Sequence, residues 1–188
     1  MNIKKTANLL LNFAIKRLAE IFGIIIFVSG IMLLIALMTY SPDDPNFIFP
    51  ENTQIKNLLG FQGSFISDLF FQSVGLVAYL VSFTFILTGI NIFRAKDFFL
   101  IIENNFYTIL YSIFGTLFIS HFYSNNFTFY INGNGGFVGN YLNQTFLNSV
   151  ILLNERLFYY ILILITLILF FVSINFSLKK FTGVIKKI

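Results

Sequence analysis

The sequence has no cysteine, no tryptophan, a single histidine and few charged residues, 11% of a total of 188. The lack of cysteine excludes disulfide bonds, thiolate metal sites and cysteine nucleophiles, and one histidine excludes a metal site with two histidine ligands. So few charges beside 57% apolar residues would leave a soluble domain too little polar surface. The composition therefore predicts an all-α polytopic membrane protein, with no cofactor and no metal.

Four uncharged runs are long enough, or nearly so, to cross a bilayer as helices, since a hydrocarbon core of ~30 Å needs about 20 residues. The predicted spans are 21–40, 69–93, 106–122 and 157–178. They form one predicted membrane domain, 21–178, with outer connections 41–68 and 123–156. The flanking segments are predicted to be a cytoplasmic amphipathic helix, 1–20, with a frayed basic tail as the alternative, and a basic cytoplasmic tail, 179–188.

Lys and Arg are unevenly distributed between the two sides that these spans define. Ten of the 12 basic residues lie before the first span, between the second and third, or after the fourth, and only Lys56 and Arg156 lie in the outer connections. Short loops rich in Lys and Arg stay in the cytoplasm. The sequence therefore predicts that both termini are cytoplasmic.

The first outer connection opens with Ser41-Pro42-Asp43-Asp44-Pro45, where two prolines must end the preceding helix. The adjacent carboxylates lack the spacing and the closing Glu of a calcium loop, so a structural role is predicted for them. Residues 55–69 predict a short amphipathic helix on the outer leaflet, interrupted by Gly60 and Gly63. Asp68 is then expected to stabilise the first turn of the second span.

The second outer connection is predicted to be irregular from Ser124 to Gly136, because amides and glycines dominate it. Residues 137–153 regain an apolar side but carry many amides, which favours an interfacial or re-entrant segment over a fifth span. An odd number of spans would also place the last lysines outside.

No Asp, Glu, Lys or Arg lies in the centre of a predicted span, and this counts against a pump or a proton-coupled carrier. The polar residues of the spans are predicted to bond to neighbouring helices or to their own backbone. They are Gln72, Thr84, Thr88, Asn91, Thr116 and His121. The sequence also lacks a phosphate-binding loop, a His-Glu-x-x-His zinc motif and a Gly-x-Ser-x-Gly elbow, so an enzyme is not expected.

Two blocks of the sequence resemble a known family. The first runs from Tyr40-Ser41-Pro42-Asp43-Asp44-Pro45 through 57–69 to 72–79, and the second is Gly135-Gly136-Phe137-Val138-Gly139. Together they resemble the N-terminal four-transmembrane domain of FtsK/SpoIIIE-type bacterial DNA translocases, over roughly residues 15–180. The motif residues are Pro42, Asp43, Asp44, Pro45, Gly60, Gly63, Asp68, Gln72, Gly75, Gly135 and Gly136.

The resemblance implies an anchor in the bacterial inner membrane at the division septum, which would hold a cytoplasmic hexameric ATPase motor during chromosome segregation. The implied partners are the lipid bilayer and membrane proteins of the divisome, and a homo-oligomer is compatible with it. The motor is expected to be absent from this sequence, so no nucleotide or nucleic acid binding is expected. The terminal lysines are expected to bind anionic lipid. The alternatives are a small channel or carrier, and a divisome scaffold without a motor.

Overall fold

The structure is a computed structural model that describes residues 3–45, 54–124 and 131–176. Within those ranges the regular elements are all helical, which confirms the predicted all-α class. The helices are α1 (Ile3–Met38), α2 (Gly60–Val74), α3 (Ala78–Ala95), α4 (Phe99–Phe122), α5 (Gly136–Asn143), α6 (Phe146–Leu153) and α7 (Glu155–Ser173). The predicted basic tail, 179–188, lies outside the described residues.

Four long helices form the body of the protein, with α1 packed on α3, α3 on α4, and α4 on α7. The main apolar core lies where these helices meet the end of α2. Its buried members are Leu33, Leu37, Phe71, Val77, Ala78, Val81 and Tyr111. A smaller buried cluster of Leu117, Ile151 and Leu162 joins α4, α6 and α7.

Three helical stretches of the described chain are long and apolar enough to cross a membrane: Asn8–Met38, Gly60–Ala95 and Glu155–Ser173. The sequence predicts four spans, and α4 is the helix that does not qualify although it has 24 residues. Five of its polar residues recur every four positions and are buried: Asn104, Thr108, Ser112, Thr116 and Ser120. This polar side of α4 therefore faces protein.

The polar side chains of the predicted spans form the expected hydrogen bonds. The hydroxyls of Thr84 and Tyr111 are 2.9 Å apart and join α3 to α4. Asn104 donates to the Thr88 hydroxyl at 2.8 Å, and Asn91 donates to the carbonyl of Ile174 at 2.9 Å. Further bonds are Thr116 to the Ile113 carbonyl, His121 Nδ1 with Asn143 Oδ1, and Gln72 with Asp68 and Asn132. Their predicted role in helix packing is confirmed.

Several helix boundaries differ from the predicted ones. Residues 3–20 and most of the first span form one continuous helix of 36 residues, α1, about 54 Å long at 1.5 Å per residue. Gly63 lies inside α2, so the prediction that it interrupts a helix is wrong. Gly60, with a φ of +65°, stands where α2 begins, and residues 55–59 before it are not helical. The segment 137–153, which was predicted to be either interfacial or re-entrant, contains two short helices, α5 and α6.

Candidate functional site

The first outer connection is closed by the carboxylate of Asp44, which is buried. One oxygen accepts a hydrogen bond from the backbone N–H of Lys56 at 2.8 Å, and the other accepts from the N–H of Asn57 at 2.9 Å. Asn57 then donates to the carbonyl of Ala36 near the end of α1, at 2.9 Å. Because a helix end leaves its last carbonyls unpaired, this bond both caps α1 and fastens the start of α2 to it.

The neighbouring motif residues complete the same closure. Asp43 and Lys56 form an exposed ion pair at 2.8 Å, and this carboxylate raises the pKa of the Lys56 amine. The hydroxyl of Ser64 donates to the carbonyl of Pro45 at 2.8 Å. Gly63 lies against Asn57 so closely that a Cβ there would collide with the amide. The two carboxylates thus serve the loop, in agreement with the predicted structural role.

We expect Asp44→Asn to lower the free energy of unfolding by about 1–3 kcal/mol, because its amide nitrogen would face a buried backbone N–H. Asp43→Asn is the matched control, since the side chain of Asp43 is 71% exposed and its removal should leave stability nearly unchanged. Denaturation of the purified variants in detergent, followed by circular dichroism, measures both. Equal losses in the two variants would contradict this account of the loop.

Asp68 lies in the middle of α2, two turns beyond its start at Gly60. The prediction that it stabilises a first helical turn is therefore wrong. The Tyr40 hydroxyl, just beyond the end of α1, donates to Asp68 Oδ1 at 3.1 Å, and the side-chain amide of Gln72 donates to the same oxygen at 3.4 Å. Asp68 thus links α2 to the end of α1.

Gln72 continues these contacts into the second outer connection. Its side-chain oxygen accepts from the backbone N–H of Asn132 at 3.1 Å, and its backbone carbonyl accepts from the Asn132 side chain at 3.3 Å. Four residues later, the N–H of Leu76 donates to the carbonyl of Asn134 at 2.9 Å. Gln72 lies at the end of α2 and Leu76 in the turn that follows it, so the second outer connection is hydrogen-bonded to the chain between α2 and α3.

Glycines make this approach possible. Gly75 has a φ of +58° and separates α2 from a 3₁₀ turn, Gly75–Val77, that leads into α3. A Cβ on Gly75 would collide with the carbonyl oxygen of Asn134, and one on Gly136 would lie 2.6 Å from the backbone nitrogen of Gly75. A Cβ on Gly135 would lie 2.7 Å from the carbonyl oxygen of Thr116. The helical path from α2 to α3 is thus interrupted at Gly75, and residues of the second connection pack against this interruption.

We call this contact region the inter-loop junction; its residues are Gln72, Gly75, Leu76, Asn132, Asn134, Gly135 and Gly136. Asn134 is buried, and its side-chain amide donates to the carbonyl of Tyr123 at 2.7 Å. Its side-chain oxygen has no hydrogen-bond partner among the residues that the structure describes. No cluster of three His, Cys, Asp or Glu side chains in the described ranges is arranged to hold a metal ion.

The structure brings most of the motif residues into two sets of contacts. Asp43, Asp44, Pro45 and Gly63 take part in the closure of the first connection. Gln72, Gly75, Gly135 and Gly136 belong to the junction, and Asp68 links it to α1. Gly60 stands at the start of α2, where no atom lies within 4 Å of the position of its Cβ. Sequence reasoning missed Asn57, Asn132 and Asn134 as partners. Their only signal was a high density of amides and glycines, which predicts loops as well as specific hydrogen bonds.

Comparison with known proteins places this chain in a family. A family model described as the 4TM region of DNA translocase FtsK/SpoIIIE matches residues 15–186. Among curated proteins, the DNA translocase FtsK of Caulobacter vibrioides is 36% identical over 73 residues, which is 39% of this chain and 9% of the relative. That of Azospirillum brasilense is 27% identical over 112 residues, 58% of this chain and 17% of the relative.

The DNA translocase FtsK of Rickettsia prowazekii is 29% identical over 72 residues, 38% of this chain and 10% of the relative. The chain therefore spans only a small part of the length of these relatives. No solved structure gives a significant match. The family model covers almost the whole chain, including both sequence blocks that form the junction, so this protein belongs to the family of the 4TM region of DNA translocases FtsK and SpoIIIE.

Proposed function

We propose that this chain is the membrane anchor and septum-targeting module of an FtsK-type DNA translocase, acting in cell division and chromosome segregation. The observation that carries the proposal is the family match over residues 15–186. The relatives are named DNA translocases, and the matched segments cover 9–17% of them. The proposal assigns anchoring to these residues, and assigns ATP hydrolysis and DNA translocation to other parts of such proteins.

The proposed topology has four spans, with α4 as the third, in the bacterial inner membrane. It is supported by the position of α4 between α3 and α7 and by the buried polar stripe that runs from Asn104 to Ser120. In a bilayer, buried hydroxyls and amides that bond to other helices need not face lipid. Four spans place both termini in the cytoplasm, where the basic residues favour them.

A reporter active only outside the cytoplasm tests this topology. Truncation fusions after Asn52 and Asn154 are expected to be active, and fusions after Lys96 and Ile188 are expected to be silent. The pair Lys96 and Asn154 is decisive because α4 is the one long helix between them. If both fusions report the same side of the membrane, α4 does not cross it.

The proposed partners are the bilayer and the membrane proteins of the division machinery, and the proposal includes no direct contact with nucleic acid or nucleotide. The inter-loop junction supports this role because it gives the outer side of the domain a defined shape. Main-chain hydrogen bonds and glycine contacts hold the second connection against the turn between α2 and α3. A surface built in this way loses little conformational entropy when a partner binds.

Imaging of a fluorescent fusion in dividing cells tests the septal role. The chain is expected to concentrate in a band at midcell. An otherwise identical fusion with Gly75→Ala is expected to lose the band while it remains in the membrane fraction. A uniform envelope distribution of the unmodified fusion would contradict septum targeting and leave only membrane anchoring.

A further inference from the structure

A groove with a volume of about 380 Å³ lies between α2 and the second outer connection. Its polar side is formed by Asp68, Gln72 and Asn132, and its apolar side by Phe65, Leu69 and Phe137. Leu69 and Phe137 are 54% and 61% exposed, so the apolar side is open to a ligand. Most of the closure and junction contacts described above lie outside this groove.

The feature that indicates a ligand is the carboxylate of Asp68. The residue is 5% exposed, and both of its hydrogen bonds, from Tyr40 and Gln72, reach Oδ1. Within the described ranges no donor reaches Oδ2, although the side chain lines the groove. Among the described residues the only buried side-chain atom without a partner is Asn134 Oδ1, so Asp68 Oδ2 is accessible from the groove, where a donor or a cation can bond to it.

The surroundings restrict what this donor can be. Leu69, Phe65 and Phe137 offer surfaces suited to an aliphatic stem or a guanidinium plane. A lipid ethanolamine group would bring its phosphate into the same groove. None of the described lining residues is basic, so none of them would pair with this phosphate. A basic amino acid side chain has an apolar stem and a cation without an attached anion, so it fits both halves of the groove.

We propose that this groove is a docking site for an arginine or lysine side chain of a protein partner, with the cation on Asp68 and its stem between Leu69 and Phe137. The cation would donate hydrogen bonds to Oδ2 and neutralise the buried charge. The groove lies beside the inter-loop junction, so a partner bound there would contact both outer connections. This proposal concerns the groove alone and does not depend on septum targeting.

The test uses the full chain in phosphatidylcholine nanodiscs, because the choline group has no hydrogen-bond donor. The probe is a fluorescent acetyl-Leu-Arg-Leu-amide peptide, and its anisotropy is corrected with empty nanodiscs. We expect saturable binding that weakens by about tenfold or more when citrulline, which is neutral and similar in shape, replaces arginine. Equal binding of the two peptides would overturn the proposal.

Asp68→Asn is expected to weaken binding of the arginine peptide by about tenfold, and Asp43→Asn is the matched control. Asp43 is an exposed carboxylate in the first connection and is not part of the groove. If both variants weaken binding equally, the peptide responds to general negative charge and the proposal fails. Phe137→Ser provides a second test at an exposed wall residue, where misfolding is not expected, and unchanged affinity there would count against the groove.

A lipid occupant is distinguished by repeating the titration in nanodiscs that contain phosphatidylethanolamine. The peptide affinity is expected to remain within about twofold. A large loss of affinity would show that the lipid amine fills the groove, and the assignment to a protein side chain would then be wrong. Loss of midcell localisation with intact peptide binding would instead refute only the proposed function.

Discussion

Replacing Gly75 with alanine is expected to lower the free energy of unfolding by about 2–5 kcal/mol. Two costs add at this position: a left-handed φ of +58°, and a Cβ that would collide with the carbonyl of Asn134. The methyl group would push the second outer connection away from the turn after α2 and break the hydrogen bond from Leu76 to Asn134. Unfolding of the purified chain in detergent, followed by circular dichroism, measures the loss.

Gly60→Ala is the matched control for this change. Gly60 also has a positive φ, +65°, but no atom lies within 4 Å of the position of its Cβ. Only the conformational cost remains there, about 1–2 kcal/mol. If the two variants lose equal stability, the collision with Asn134 does not contribute to the loss, and the second connection does not pack closely against Gly75.

The junction also explains how a broken helix is tolerated between α2 and α3. A break leaves backbone groups without helical partners, and such groups are costly away from water. The carbonyl of Asn134 accepts the N–H of Leu76, so the second connection supplies a partner at the break. The change at Gly75 therefore removes a hydrogen bond as well as introducing a clash.

Replacing Gly89 with leucine is expected to separate α1 from α3 and to lower the free energy of unfolding by about 3 kcal/mol or more. Replacing it with alanine is expected to lower the same free energy by about 1–3 kcal/mol. A Cβ at Gly89 would meet two backbone groups of α1, the nitrogen of Phe27 and, at 2.6 Å, the carbonyl oxygen of Gly23. Backbone atoms within a helix cannot move aside without moving the whole helix. The measurement is again detergent unfolding.

Gly115→Ala is the control for this second change, because both glycines lie inside long helices and both gain the same helix propensity from alanine. A Cβ at Gly115 would meet the methyl groups of Val77 and Thr166 at 3.1 and 3.2 Å. Side-chain ends can shift by a few tenths of an ångström, so this variant is expected to be nearly neutral. A neutral Gly89→Ala would show that α1 and α3 do not depend on this close approach.

Parts of the candidate site could be predicted from residue types alone. Pro42 and Pro45 indicate a helix end, and Asp43-Asp44 without a closing Glu indicates a structural loop; the contacts of Asp44 agree with both. The pairing of Gln72 with Asn132 could not be predicted, since 60 residues separate them. Nothing local to either residue identifies its partner.

Asp68 shows the same limit. A short amphipathic helix was expected over 55–69 with a separate span beginning at residue 69, yet one helix, α2, runs from Gly60 to Val74. Asn57 bonds to the carbonyl of Ala36 and Asp68 accepts from Tyr40, so this segment is attached to the end of α1. The environment of the Asp68 carboxylate thus depends on residues of another segment.

The sequence by itself determined the all-helical class, the membrane location implied by its apolar runs, and the family through its two motif blocks. These follow from properties that add along the chain: hydropathy, charge and local backbone preference. Only the tertiary structure decided that the second outer connection meets the chain at Gly75 and that the polar stripe of α4 from Asn104 to Ser120 is buried. The physical reason is that whether a polar group is satisfied, or a glycine required, depends on atoms that another segment supplies.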